Sequence, residues 1–243
     1  MTLQEGENRE DSQEEIEILL PNTTIVTHCI LKDDIPRLTK SFEDDSDPFK
    51  ETIAELLNQR DSDGKSPLDI ASTLGRTDMV RELLQRGADV NLVTSKGFCA
   101  LHHAAAWGKL DVIKVLVEFH CNLQQRNVHG ERARETAVRY THTECVDYLD
   151  WAEAKVALLD LAKQTQETVQ DPEKVQGRLT KEDKTISLSS CKEKVEWVES
   201  NPGATTQEFI EQKELLEEIL GPIMLKLSEP REDVPQKNQK KNK

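Results

Sequence analysis

The sequence predicts an all-α protein: a short solenoid of paired helices, then a C-terminal three-helix bundle, with disordered ends. Three observations carry this. Residues recur at an interval of 33: Gly64, Gly97 and Gly130; Gly75 and Gly108; Ala71, Ala104 and Ala137; and Leu83–Leu84 answered by Leu116–Val117. A fixed period of that length marks stacked units, each too small to bury its apolar face alone, so neighbours share one core and the same positions repeat. Beyond about Ala157 the period is lost and apolar residues step by three and four, the spacing of amphipathic helices. Both ends are polar: residues 1–20 carry seven acidic side chains and one Arg, too little apolar surface to fold, and Ser228 to Lys243 is Lys-rich.

Composition narrows the function. A charged fraction of 32 % against an aromatic fraction of 4 % fits a soluble, helix-rich chain. The net charge of −14 argues against nucleic acid, because an acidic surface repels phosphate. No apolar run approaches ~20 residues, so membrane insertion is not expected. Met1 to Asp11 lacks the apolar core of a signal peptide, which points to a cytosolic or nuclear location. Cys29, Cys99, Cys121, Cys145 and Cys191 are scattered and read as reduced, mostly buried thiols. The Cys99/His102 spacing and the His120–Cys121 pair sit at positions the repeat explains, with no second ligand pair nearby, so neither metal nor cofactor is expected. No Ser-His-Asp or Cys-His arrangement stands outside the repeat, and no carboxylate pair stands out from the charged helix faces. No catalytic residue is assigned and the chain does not read as an enzyme.

The elements follow in order. Residues 21–60 read as a degenerate N-terminal repeat or cap with an insertion. Ile25, Val26, Cys29 and Ile30 form one stripe, Asp33–Asp34 a turn, and Ile35, Leu38 and Phe42 the next stripe. Glu43 to Pro48 is an acidic break. Phe49 to Asn58 reads as an added helix with Phe49, Ile53, Leu56 and Leu57 on one face. Three repeats follow over 61–92, 93–124 and 125–152, within a repeat region of 61–155. Gly64 and Gly97 occupy tight turns that need positive φ, Ser66-Pro67-Leu68-Asp69 starts a helix with Pro in its first turn, and Gly75 and Gly108 end the first helices. The third repeat keeps Gly130 and Ala137 but has Thr141 where the others have Gly. Cys145 to Val169 reads as nearly continuous helix, broken at Asp171-Pro172. In the bundle, 156–227, Thr180-x-x-Asp183 and Thr205-x-x-Glu208 are helix starts. Leu188, Cys191, Val195 and Val198 form one stripe. Phe209, Leu216, Ile219, Leu220, Ile223 and Leu227 form another, after the Asn201-Pro202-Gly203 turn.

The repeats resemble the ankyrin family. Ser66-Pro67-Leu68-Asp69 stands where that family has Thr-Pro-Leu-His, Gly87-Ala88-Asp89-Val90-Asn91 closes the second helix, and Cys99-Ala100-Leu101-His102 keeps Leu and His. In the third repeat Ala133-Arg134-Glu135 replaces Pro-Leu-His, which suggests a unit adapted to pack against something else. The resemblance implies a protein-binding solenoid whose partners meet its concave side, built from hairpin tips and first helices. It also implies that His102 bonds backbone between adjacent repeats. Asn91 lies in a context like that of ankyrin asparagines hydroxylated by an oxygen-sensing dioxygenase, which makes it a candidate modification site.

Residues from roughly Leu158 to Leu227 resemble the helical lid at the C-terminal end of the seventy-kilodalton heat-shock chaperones. The matching fragments include Thr168-Val169-Gln170-Asp171, Gly177-Arg178-Leu179, Lys181-Glu182-Asp183-Lys184, Cys191 with Glu196-Trp197, and Glu208-Phe209 with Gln212-Lys213-Glu214-Leu215. Ser187 stands where that family has an aliphatic residue. The chaperone's nucleotide-binding domain and peptide-holding sandwich are absent, so the bundle reads as a structural cap or as a docking surface for chaperone machinery. An ankyrin array fused directly to such a bundle, with Leu101–Gly108, Glu131–Arg134 and Thr143–Trp151, is similar to a known family of this build. That similarity implies a cytoplasmic, non-enzymatic interaction protein at cytoskeletal or cell-division structures.

Candidate binding residues follow from the repeat register. The residues before the helix-ending positions, Leu74, Trp107 and Tyr140, are again 33 apart. They are either partner anchors, as desolvated aromatic residues tend to be, or they pack on one another and on Arg139. The hairpin tips add Lys65, Lys96, Phe98 and His129, flanked by Asp63 and Glu131. An aromatic at a tip, Phe98, calls for a reason. The sequence names no protein partner.

Overall fold

A computed structural model describes residues 18–175 and 177–228. Residues 1–17 of the acidic arm and the Lys-rich tail from residue 229 onward lie outside the described residues. The described residues are helical without strands, and the chain divides into two compact units that meet at Asn122–Leu123.

The first unit holds α1 (Ile25–Lys32), α2 (Ile35–Glu43), α3 (Ile53–Leu56), α4 (Pro67–Leu74), α5 (Thr77–Gln85), α6 (Ala100–Ala106) and α7 (Leu110–Glu118). Each repeat is a tip, a short first helix and a second helix returning antiparallel. The buried residues are the recurring ones. Ala71 and Ala104 are fully buried on α4 and α6, which lets these two helices approach closely, and Leu83 and Leu116 are fully buried on α5 and α7. The α1–α2 pair caps the stack with Ile25, Val26, Ile30 and Leu38 buried.

The expected helix over Phe49 to Asn58 shrinks to the four residues of α3. The side chain of Asp47 explains this. Its Oδ1 accepts the Phe49 N–H (2.9 Å), and its Oδ2 pairs with Arg37 Nη1 (2.9 Å) at a site where the carboxylate is 1 % exposed. A buried, paired carboxylate that also binds the chain locally holds it in turns and competes with helix. Phe49 is half-buried beside the Arg37 guanidinium, 5.6 Å from its ring centroid.

The second unit holds α8 (Ala133–Arg139), α9 (Thr143–Gln170), α10 (Pro172–Val175), α11 (Lys181–Ser200) and α12 (Thr206–Ser228). Helix α9 runs for 28 residues, so the second helix of the third repeat and the first helix of the bundle are one element. The bundle core gathers Leu158, Ala162, Cys191, Phe209, Leu216 and Leu220. Trp151 and Trp197 meet the fully buried Phe209 ring edge-on, at 5.9 and 5.7 Å between centroids. The Trp151 indole N–H donates to the Ala204 carbonyl (2.9 Å), satisfying a polar atom that the aromatic ring would otherwise bury unpaired.

Two stripes differ from expectation. On α11 the buried seam is Asp183, Ser187, Cys191, Lys194 and Val198, while Leu188 and Val195 are half-buried beside it. Each polar member is bonded: Ser187 Oγ to the Asp183 carbonyl (2.9 Å), Lys194 Nζ to Gln212 Oε1 (2.8 Å) and Asp183 Oδ1 to Lys226 Nζ (2.8 Å). Satisfied polar groups tolerate burial, so the seam does not follow hydrophobicity alone. On α12, Ile219 is 41 % exposed, because Leu216, Leu220 and Ile223 already fill the inward face.

Thr141 stands at the helix-ending position held elsewhere by Gly75 and Gly108, and it adopts the same left-handed backbone, φ 62° against 76° and 62°. A β-branched residue pays for that conformation with steric strain of about 1–2 kcal/mol. We therefore expect Thr141→Gly to raise stability by about 1 kcal/mol, read as a higher urea midpoint at unchanged slope. Because α9 is shared, a chain ending at Glu153 is expected to melt below the full chain by circular dichroism; equal melting would show that the bundle does not support the third repeat.

Candidate functional site: hairpin tips and first-helix ends

Each tip is built by one side chain, again 33 apart. Asp61 Oδ1 accepts the N–H groups of Asp63 (2.9 Å) and Lys65 (2.8 Å). Thr94 Oγ1 accepts the Phe98 N–H (3.0 Å), and Asn127 Oδ1 accepts those of His129 (2.8 Å) and Glu131 (3.1 Å). Gly64, Gly97 and Gly130 turn the chain at φ 78°, 72° and 75°. Arg60 braces the first tip, with Nη1 donating to the Gly64 carbonyl (2.8 Å) and Nη2 to that of Val93. Behind the tips, Asn58 Oδ1 accepts the Asp89 N–H (2.9 Å), and Asn91 Oδ1 accepts the Asn122 N–H (2.7 Å). The side-chain amide of Asn91 thus ties successive loops together in an exposed position.

The first helices start with reciprocal caps. Ser66 N–H donates to Asp69 Oδ2 (2.9 Å) and Asp69 N–H to Ser66 Oγ (3.2 Å). Asp69 is fully buried, and burial pushes its carboxyl above the usual range. In the second repeat His102 takes the place of Asp69. Its Nδ1 accepts the Cys99 N–H (3.3 Å) and lies 3.0 Å from Cys99 Sγ. His102 therefore bonds backbone within its own repeat, and the Cys99–His102 spacing is a helix cap. Among the described residues no group of three or more His, Cys, Asp or Glu could hold a metal ion.

The third repeat repurposes the same positions. Glu135 Oε2 accepts the Arg132 N–H (2.8 Å), and the Arg132 guanidinium bridges Glu135 and Glu153, the latter at 2.7 Å. Arg134 pairs with Asp150, Nη2 to Oδ2 at 2.8 Å. Two arginines thus fasten α8 to α9, which is what the Ala133-Arg134-Glu135 departure serves. The Arg132 guanidinium holds the Glu135 carboxyl at about 2, well below its ordinary value of 4.5.

The exposed candidates are placed as follows. Leu74, Trp107 and Tyr140 are 43 %, 61 % and 50 % exposed, so none is taken up by the core of its unit. Arg139 lies over the Tyr140 ring at 5.0 Å from the centroid, a contact that the packing alternative expects. Lys96 and His129 are exposed and Lys65 is half-buried. Phe98 is not exposed as expected. It is half-buried, edge-on to His102 (5.7 Å) and tilted against His103 (6.1 Å). Between the first two tips lies a cleft of about 190 Å³ lined by Asp63, Lys65, Lys96, Phe98 and His103, with Thr94 and Ser95. In the sequence His103 has no acidic or Cys partner in register, so it receives no role. One period earlier the position is Ile70 and one period later Thr136, so the repeat itself does not call for a histidine there.

This fold and site define an ankyrin-repeat module for protein–protein interaction. The ankyrin-repeat family model, described as "Ankyrin repeats (many copies)", matches residues 68–117. Ankyrin repeat domain-containing protein 45 of Mus musculus is 39 % identical over 228 residues, covering 94 % of this chain and 89 % of that protein. The Homo sapiens protein of the same name is 38 % identical over 200 residues, 82 % of this chain and 75 % of that protein. That of Danio rerio is 46 % identical over 136 residues, 56 % of this chain and 61 % of that protein. The chain belongs to the family of ankyrin repeat domain-containing protein 45. No described helix is long and apolar enough to cross a membrane.

The Glu135 carboxyl titrates lower in the folded state than in the unfolded chain, so its pairing adds stability above about pH 4.5 and loses it as pH falls toward 2. Glu135→Gln is expected to lower stability at pH 7 by less than about 1 kcal/mol, since solvent screens a half-exposed pair. The gap to the parent should close between pH 4.5 and 2 in acid titrations followed by circular dichroism.

Proposed function

We propose that the protein is a non-enzymatic scaffold or adaptor. It binds a segment of a partner protein on the side of the repeats that carries the tips and the first-helix ends, the concave side in ankyrin solenoids. The observation that carries this is the exposure of Trp107, 61 %, at the end of a helix that buries Ala100, Leu101, Ala104 and Ala105. A large ring left in water gains most when a partner desolvates it. Leu74 occupies the same register at the end of α4, and Tyr140 occupies it just after α8 in the second unit. Rigid tips favour this use, because a surface already ordered loses little entropy on binding. A cytoplasmic location, at cytoskeletal or cell-division structures, agrees with the family resemblance.

The test is affinity purification with mass spectrometry on the parent and on Leu74→Ala/Trp107→Ala, after circular dichroism confirms folding. A discrete set of partners should be lost, and for any one of them the affinity should fall roughly tenfold or more. An unchanged set would return both residues to a packing role.

One observation favours a second reading, docking through the bundle to chaperone machinery. Leu215 and Ile219, one turn apart on α12, are 47 % and 41 % exposed, and Leu225 is 63 % exposed. If this reading holds, adding the protein changes the ATPase rate of a seventy-kilodalton chaperone, and Leu215→Glu abolishes the change.

A further inference from the structure

The cleft between the first two tips contains a polar atom that repeat packing does not require. His103 Nε2 is buried and bonds no other atom. An apolar residue serves at the equivalent place, Ile70, one repeat earlier. A buried nitrogen without a partner is destabilising, a cost that a ligand can remove. Lys65 and Lys96 line the same cleft, and neither forms an ion pair among the described residues. Arg37, Arg76, Arg81 and Arg86 of the same unit are all paired. In a chain of net charge −14, two unpaired lysines beside a single lining carboxylate, Asp63, make a locally cationic seat. Phe98 gives it an apolar wall.

We propose that this cleft seats an Asp or Glu side chain of an acidic partner peptide, with Lys65 and Lys96 as counter-charges and His103 Nε2–H as the buried donor. The proposal rests on the reading that tips and first helices meet the partner. Burial, reinforced by the nearby Lys65 charge and by His102, keeps the imidazole neutral, with its titration pushed down to about 4. A neutral imidazole has one N–H to give. It can bond a carboxylate without bringing a further buried charge. Trp107 caps the C-terminal end of α6, four residues after His103. A peptide whose acid enters the cleft therefore lays its neighbouring apolar residue toward Trp107.

The experiment is selection of random twelve-residue peptides by display against the full chain. Enrichment in Asp or Glu next to an aromatic or aliphatic residue is expected. Affinity of a selected peptide should fall about tenfold or more in Lys65→Glu/Lys96→Glu and weaken with added salt. His103→Leu should weaken binding without lowering the urea midpoint, which a purely structural histidine would not allow. NMR titration of the His103 ring should move up from about 4 when the peptide is bound. Peptides that need Trp107 but show no acidic preference would overturn the cleft assignment and leave the binding face standing. Peptides indifferent to both the lysines and Trp107 would overturn the face as well. Affinity that rises when residues 1–17 are removed would put the chain's own acidic stretch in the cleft and overturn a partner as its occupant.

Discussion

The second unit depends on one helix being long enough to serve two neighbours. A two-turn α8 with Ala133, Thr136 and Ala137 buried has too small an apolar face to hold a fold, and the two helices after it close a core only around a third. Helix α9 meets both needs along a single continuous backbone. Its first turns receive α8 through the Arg132–Glu153 and Arg134–Asp150 pairs, and its later turns give Leu158 and Ala162 to the bundle. A rigid element through both halves means that strain at one end is felt at the other, without a hinge between them.

The first unit solves a different problem, which is how to keep backbone groups satisfied while the surface varies. Asp61 and Thr94 are chemically unlike, yet each accepts tip amides, as Asn127 does at the tip in the second unit. The residues outside those bonds are then free to change from one repeat to the next. That separation lets Lys65, Lys96 and Phe98 stand on equally ordered turns, and it is why a repeat scaffold takes on new specificity without losing its stack.

Most of the scaffold was legible because it obeys a period. Glycines needing positive φ, small alanines between helices and capping residues all recur at fixed places. Three things were not legible, each for a local reason. The short α3 depends on a buried Asp47–Arg37 pair, and pairing between separate elements leaves no mark on periodicity. The α11 seam runs through Ser187 and Lys194 because their bonds are satisfied in three dimensions. The candidate site was half visible. The register located Leu74, Trp107 and Tyr140 and the lysines. His103, however, emerges only when the burial of its Nε2 is known, and Phe98 read as exposed because its contact with two imidazoles is tertiary.

The five thiols close a different circle. All are buried, and burial pushes Cys99, Cys121, Cys145 and Cys191 away from the reactive thiolate, Cys121 as far as about 12. Alkylating reagents can therefore reach them only through transient openings of the structure. Cys29, Cys99 and Cys121 lie before the division of the chain and Cys145 and Cys191 after it. The protein thus carries its own set of clocks: the labelling rate at each thiol times the breathing of one unit independently of the other, with no reporter group added.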